Sequence, residues 1–253
     1  MMEQNTFNYL VQLSFVGTAY HGSQIQNNAV TVQSEFQAAL QRVLGYLPAI
    51  KCCSRTDSGV HAKQFFISFY AAAPLSCEKL VMALNANLPR DIRVHAVKEV
   101  PAEFHARYSA AGKRYEYHIV NSRVMDPFLL ERAYQFSPHL DEKELAQIAK
   151  VFLGRHDFSA FCSGRSDVED KVRTVTKASV TRDGDTVVFS FAADGFLYNM
   201  VRIMTGALLQ CARGKLTAED LEAYLNGRPR DNLLITAPAC GLYLTEVFYD
   251  FEH

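Results

Sequence analysis

The chain reads as an α+β protein of two similar α/β halves, residues 1–108 and 109–253, each contributing to a mixed, largely antiparallel sheet with helices on one face. Three observations lead there. Short runs such as Tyr9–Phe15 and Gln64–Ala71 mix or alternate apolar and polar residues as half-buried strands do. Between them lie segments with apolar residues at helical spacing, for example Val32, Phe36, Leu40, Val43 and Leu44. The order in the first half, strand, helix, strand pair, helix, strand, is the one expected when helices cover one face of an antiparallel sheet.

Taken in order, YLVQLSF over Tyr9–Phe15 is the first strand, and VGTAYHG supplies a turn with two glycines. Thr31 is placed to cap the helix that follows, with Gln33 and Glu35 nearby, and Gly45 to stop it. Residues 64–71 form a strand, Ser76 to about Leu84 a second helix, and Asp91–Val100 another alternating strand. PAEFHARY, 101–108, bridges the halves, with Phe104 and Tyr108 as packing aromatics at the hinge. In AAGKRYEYHIVN, Lys113, Tyr115, Tyr117 and Ile119 share one strand face. VMDPFLLERAYQF reads as irregular, and Asp141–Leu153 as an amphipathic helix with acids in its first turn. Gly154–Phe158 reads as helix termination and loop, and SGRSDVEDKVRTV as a polar loop entering a strand at Val172. Two strands then turn at Asp183-Gly184-Asp185. A long apolar helix runs from near Tyr198 to Gly214, a short one covers 217–226, and APACGLYLTEVFYD closes as a strand.

Composition bounds the function. With 253 residues, 49% apolar and 21% charged, the chain can bury one large core or two compact ones. No apolar run approaches the roughly 18 residues of a membrane span, and MMEQNTFNYLVQLSF lacks the marks of a secretory signal, so a cytoplasmic location is expected. Cysteines 52, 53, 77, 162, 211 and 240 show neither CxxC nor zinc-ligand spacing; no metal and no disulfide frame is expected. A net charge of -1 weighs against nucleic acid, yet a balanced total can hide a basic groove. Arg55, Lys63, Arg107, Lys113, Arg114, Lys171, Arg173, Arg202, Arg213 and Lys215 gather near the most distinctive strings.

The most distinctive string is SRTDSGVHA, Ser54–Ala62. By its residues alone Asp57 is either a turn-capping carboxylate with Arg55 as a surface partner, or a lone acid presented for chemistry. A single positioned carboxylate can serve as nucleophile or general base. Arg202, a charge inside an apolar helix, calls for a partner, and Asp57 is a natural one; a solvent-facing or backbone-bound guanidinium is the alternative.

The nine-residue string resembles the signature GRTDAGVHA of the TruA family of tRNA pseudouridine synthases, agreeing at seven of nine positions, with Ser54 for Gly and Ser58 for Ala. Further strings resemble that family in order. Phe15–Gln26 is similar to Y-x-G-x-x-x-x-G-W-Q-x-Q, with Phe15 for Tyr and Ser23 for Trp. NANLP, FHARY, GRHDF, GFLYNMVR and APACGLYL follow. The resemblance implies a pseudouridine synthase fold with a central cleft, and isomerisation of uridine to pseudouridine at positions 38, 39 and 40 of the tRNA anticodon stem-loop, where the base leaves its stack. It implies no cofactor and a homodimer. It implies Asp57 as the catalytic nucleophile or general base, with Arg202 holding it ionised, Tyr115 against the base, Leu244 beneath the uracil and Arg55 filling the vacated space. Arg107, Lys113, Arg114, Arg165, Lys171 and Arg173 are candidate phosphate contacts. A catalytically weak tRNA-binding homologue, or a synthase with a shifted target, is the alternative. A two-carboxylate glycoside hydrolase needs a second acid that the signature lacks.

Overall fold

The structure, a computed structural model, describes residues 7–164 and 168–250. The chain divides into two compact units, Met1–Ala111 with Leu244–His253, and Gly112–Tyr243.

In the first unit, β1 (Phe7–Phe15) lies antiparallel to β3 (His61–Ala71), and β2 (Ile50–Cys52) extends that pairing. On its other side β1 pairs with β4 (Ile92–Val100). β1 is buried continuously from Asn8 to Val11 and alternates only over its last residues. Tyr9 meets Phe69 at 5.8 Å between ring centroids, and Phe15 stands edge-on to Phe65 at 5.4 Å. Helix α1 (Val32–Leu44) buries Val32, Phe36, Ala39 and Leu40. Its capping box joins Thr31 to Ser34, a closer partner than Gln33 or Glu35, and its end is Gly45 at φ 79°. Helix α2 (Cys77–Asn87), capped by Ser76, packs on α1 and β4.

The segment 101–109 is bound to the sheet by specific hydrogen bonds. The Asn8 side-chain amide donates to Pro101 O (2.9 Å) and Phe104 O (2.8 Å), and Ala106 N–H donates to Ser68 Oγ (3.2 Å). Phe104 packs on Tyr249, as expected of a hinge aromatic; Tyr108 is 78% exposed and meets its neighbour His105 rather than the core. The turn at 105–109 projects its ring outward.

The second unit is built on β5 (Ala110–Val120), with the two-residue β6 (Tyr134–Gln135) parallel to it. Helix α3 (Glu142–Ile148) is shorter than the 141–153 pattern suggests, because the chain tightens to a 3₁₀ turn over Ala149–Phe152. That turn carries Phe152 to edge contacts with Phe161 (5.3 Å) and Phe191 (6.2 Å). Gly154–Asp157, expected as loop, is the strand β7, antiparallel to β8 (Val172–Asp183). Its four residues are largely exposed, so backbone pairing alone creates it and no alternation announces it. β8 turns into β9 (Thr186–Ala193), which pairs with β5. Helix α4 (Met200–Ala212) is buried along most of its length, and α5 (Ala218–Leu225) opens on a capping box from Thr217 to Asp220.

The last strand, β10 (Leu242–Tyr249), departs from the division at residue 108, since from Leu244 onward it belongs to the first unit. The reason is specific contact. Val247 N–H donates to Gln64 Oε1 (2.8 Å), Tyr249 stacks edge-on to Phe66 (5.1 Å), and its hydroxyl donates to Ala106 O. Among the described residues, no helix is long and apolar enough to cross a membrane.

Candidate active site

Asp57 sits half-buried in the loop that joins β2 to β3. That loop is held along its length. Cys53 N–H donates to Phe66 O (2.8 Å) while its sulfur accepts Phe66 N–H (3.2 Å). Val60 N–H closes a turn onto Asp57 O (3.2 Å), with Gly59 at φ 79°. At the far end, the buried His61 ring accepts Gly17 N–H at Nδ1 (3.0 Å).

The turn after β1 forms the other wall. Tyr20 O accepts from Gly59 N–H (3.3 Å) and Ser58 Oγ (3.3 Å), and the Tyr20 hydroxyl is tied to Asp91 at 2.5 Å. Burial, reinforced by that carboxylate, pushes the Tyr20 hydroxyl well above the usual phenol range, so it stays a proton donor. Ser23 N–H donates to Thr56 O (3.1 Å) and Ser23 Oγ accepts Thr56 N–H (2.8 Å). Both backbone groups of the residue before Asp57 are thereby satisfied by one side of the turn. Gly22, at φ 88°, is where the chains come so close that a Cβ would stand 2.5 Å from Thr56 O.

Two of the four departures from the family strings, Ser23 and Ser54, have a physical reading here. Ser23, 1% exposed, is a small hydroxyl residue that fits under the loop and bonds to it. Ser54 takes no left-handed conformation, the described non-glycine residues with positive φ being Asn28, Glu131 and Asn199, so its backbone asks for no glycine. Ser23→Ala would leave the buried Thr56 N–H without its acceptor. The expected loss is about 1–3 kcal/mol of unfolding free energy, read by urea denaturation, with Ser23→Thr losing less.

In the second unit Tyr115 is 6% exposed on β5, and Phe196 meets its ring edge-on at 5.1 Å and 84°. Lys113 and Arg114 precede it on the same strand and are half-buried. Arg202 stands in the first turn of α4. Its Nε donates to Ala237 O (2.8 Å) and one terminal nitrogen to Asn199 Oδ1 (2.8 Å). Asn199 caps the helix in the left-handed region at φ 61°, a conformation that costs Asn less than most residues. The reading of single residues missed Asn199; its one signal is its place three before Arg202 in GFLYNMVR.

The remaining expected residues are spread differently. Leu244 is fully buried in β10, while Tyr243 turns aside to give its hydroxyl to Arg132 O. Arg55 and Arg107 are exposed. Lys171 is half-buried, and Arg173 spends one nitrogen on Asp170 O (3.0 Å) and Val172 O (2.5 Å), facing its own loop. Arg165 lies outside the described residues. Among the described residues no three His, Cys, Asp or Glu side chains gather as a metal-ligand set.

What this arrangement can do chemically is present one carboxylate on a rigid loop. The family model described as tRNA pseudouridine synthase matches residues 13–109 and 148–250, stretches that contain Asp57, Arg55, Arg107, Arg202 and Leu244. Tyr115 falls between them. Three relatives named tRNA pseudouridine synthase A match nearly end to end. That of Acetivibrio thermocellus is 43% identical over 237 residues, 94% of this chain and 97% of that protein. That of Halalkalibacterium halodurans is 40% identical over 233 residues, 92% and 89% of the two chains. That of Listeria monocytogenes serotype 4a is 39% identical over 245 residues, 96% and 99%. Signature, fold and likeness over the full length agree, and the chain belongs to the tRNA pseudouridine synthase family.

Proposed function

We propose that this protein isomerises uridine to pseudouridine in tRNA, at positions 38, 39 and 40 of the anticodon stem-loop, with Asp57 as the acid that does the chemistry. The observation that carries the reading is the loop itself: SRTDSGVHA places one acid between backbone anchors at Thr56 and Val60, in a chain like the synthases over nearly its whole length. The reaction breaks the bond from the ribose anomeric carbon to N1, turns the uracil, and joins that carbon to C5. N1 gains a proton and C5 releases one, so no redox partner or energy source is consumed. One carboxylate suffices, by adding covalently or by removing a sugar proton.

In this reading Tyr115 offers its flat ring to the extruded base, Leu244 an apolar wall, Arg202 positive charge, and Arg55 a side chain to fill the space the base leaves. Arg107, Lys113, Arg114, Lys171, Arg173 and Arg165 take the phosphates, and a homodimer acting in the cytoplasm grips the RNA. The test is incubation of unmodified tRNA with the protein, followed by mapping of pseudouridine. Modification at 38–40 is the expected result. Modification elsewhere would move the target, and none at all, with tRNA still bound, would leave a binding protein.

A further inference from the structure

The segment 101–109 spends its hydrogen bonds on holding a ring in the open. The His105 Nδ1 accepts both Arg107 N–H (3.0 Å) and Tyr108 N–H (3.3 Å). Ser109 closes the same turn twice, its N–H donating to His105 O (2.9 Å) and its Oγ accepting His105 N–H (3.1 Å). Burial, with the charges of Lys51 and Arg107, holds the imidazole below its usual range, which keeps it neutral and Nδ1 an acceptor. Tyr108 emerges from this turn 78% exposed, backed by the His105 ring at 4.4 Å between centroids. The Arg107 guanidinium lies 5.7 Å from the ring centre. Beneath the turn, Ala106 is anchored on both sides, its N–H to Ser68 and its carbonyl to Tyr249.

A large apolar ring left in water gains nothing for folding, and this turn fixes it in one orientation. The ring stays 78% exposed with His105 and Arg107 beside it, Arg107 stands on an exposed position, and Lys51, also exposed, puts its charge on the His105 behind the ring. A flat, rigid ring beside positive charge suits an unpaired base on a phosphate backbone, since stacking takes any base and the cations take the phosphates. Lysine is depleted at protein interfaces, so the charge of Lys51 favours a phosphate backbone over a protein partner.

We propose that Tyr108 is a stacking platform for an unpaired nucleobase of the RNA substrate, with Arg107 beside it, and Lys51 near the His105 that backs it, for the neighbouring phosphates. This rests on tRNA being the substrate, and it names a contact apart from Asp57. The experiment is tRNA affinity over a range of salt for wild type, Tyr108→Ala, Tyr108→Phe and Arg107→Ala, with pseudouridine formation followed in the same tRNA. Tyr108→Ala should weaken binding about 5- to 150-fold, the loss of one aromatic–base stack, with melting temperature unchanged. Tyr108→Phe should bind within about twofold of wild type, since the ring and not the hydroxyl is used. The dependence of affinity on salt should be unchanged in Tyr108→Ala and shallower by about one unit in Arg107→Ala. Wild-type affinity in Tyr108→Ala, or equal loss in Tyr108→Phe, overturns the proposal while leaving the enzymatic reading intact. A lost dimer in Tyr108→Ala would assign the ring to a second copy of the chain and overturn it too. Absence of pseudouridine with wild type is a separate result, and it removes the function rather than the platform.

Discussion

Asp57→Asn is expected to lower pseudouridine formation by about 10⁴-fold or more, the scale of removing a nucleophile or general base outright. Asn keeps the size and shape of the side chain and loses only the charge and the ability to take a proton or form a sugar ester. The position is half-buried, and the substitution leaves in place the bonds that hold the loop at Cys53, Thr56, Ser58, Gly59 and Val60. Stability should therefore move by no more than about 1 kcal/mol. Tritium release from uracil-labelled tRNA, together with tRNA affinity, separates the effects: near-total loss of release with affinity kept is the expected pattern. More than about a hundredth of wild-type release in the Asn variant would mean that the acid of this reaction is elsewhere.

Gly17→Ala is expected to be the most damaging of the small changes. A Cβ there would stand 1.9 Å from Val60 O and 2.6 Å from Val60 C, distances at which backbone has to move. Gly17 also gives its N–H to His61, so a shift on one side drags the other. Overpacking against backbone should cost about 3 kcal/mol, the upper end of what such insertions cost, because no flexible side chain can yield. Val60 lies three residues from Asp57, so activity at a temperature where the variant is folded should fall as well. Gly164→Ala is the control: nothing lies within 4 Å of its Cβ, and its φ is not among the positive ones. Its stability should stay within about 0.5 kcal/mol of wild type. Equal melting temperatures for the two variants would show that the Gly17–Val60 contact is looser than it stands here.

Much of the fold is legible from local rules, because strands and helices carry their signals in neighbouring residues. Thr31, Gly45 and Ser76 mark helix ends by what they do to the backbone within four positions, and all three act as caps or stops. β7 escapes such rules because its partner Val172–Asp157 pairing is with a strand more than a dozen residues away, and its side chains are not sorted by a core. The helix after Asp141 shortens for a similar reason. Its periodicity is helical to Phe152, but the place Phe152 must reach, between Phe161 and Phe191, is set by the sheet.

By itself the sequence determined which residue types stand in which order: the apolar-rich runs that make β1 and β3, the alternation of β4, the caps, the SRTDSGVHA string with its single acid, and through that string the family. The tertiary structure decided what those residues touch. Only there does Ser23 become the acceptor for Thr56, Asn199 the support of Arg202, Leu244 onward a part of the first unit, and Tyr108 an open ring instead of a packed one. The physical reason is range. Propensity and capping act over a few bonds of chain, whereas a hydrogen bond between residues 33 positions apart, such as Thr56 to Ser23, exists only once the sheet has brought two turns together.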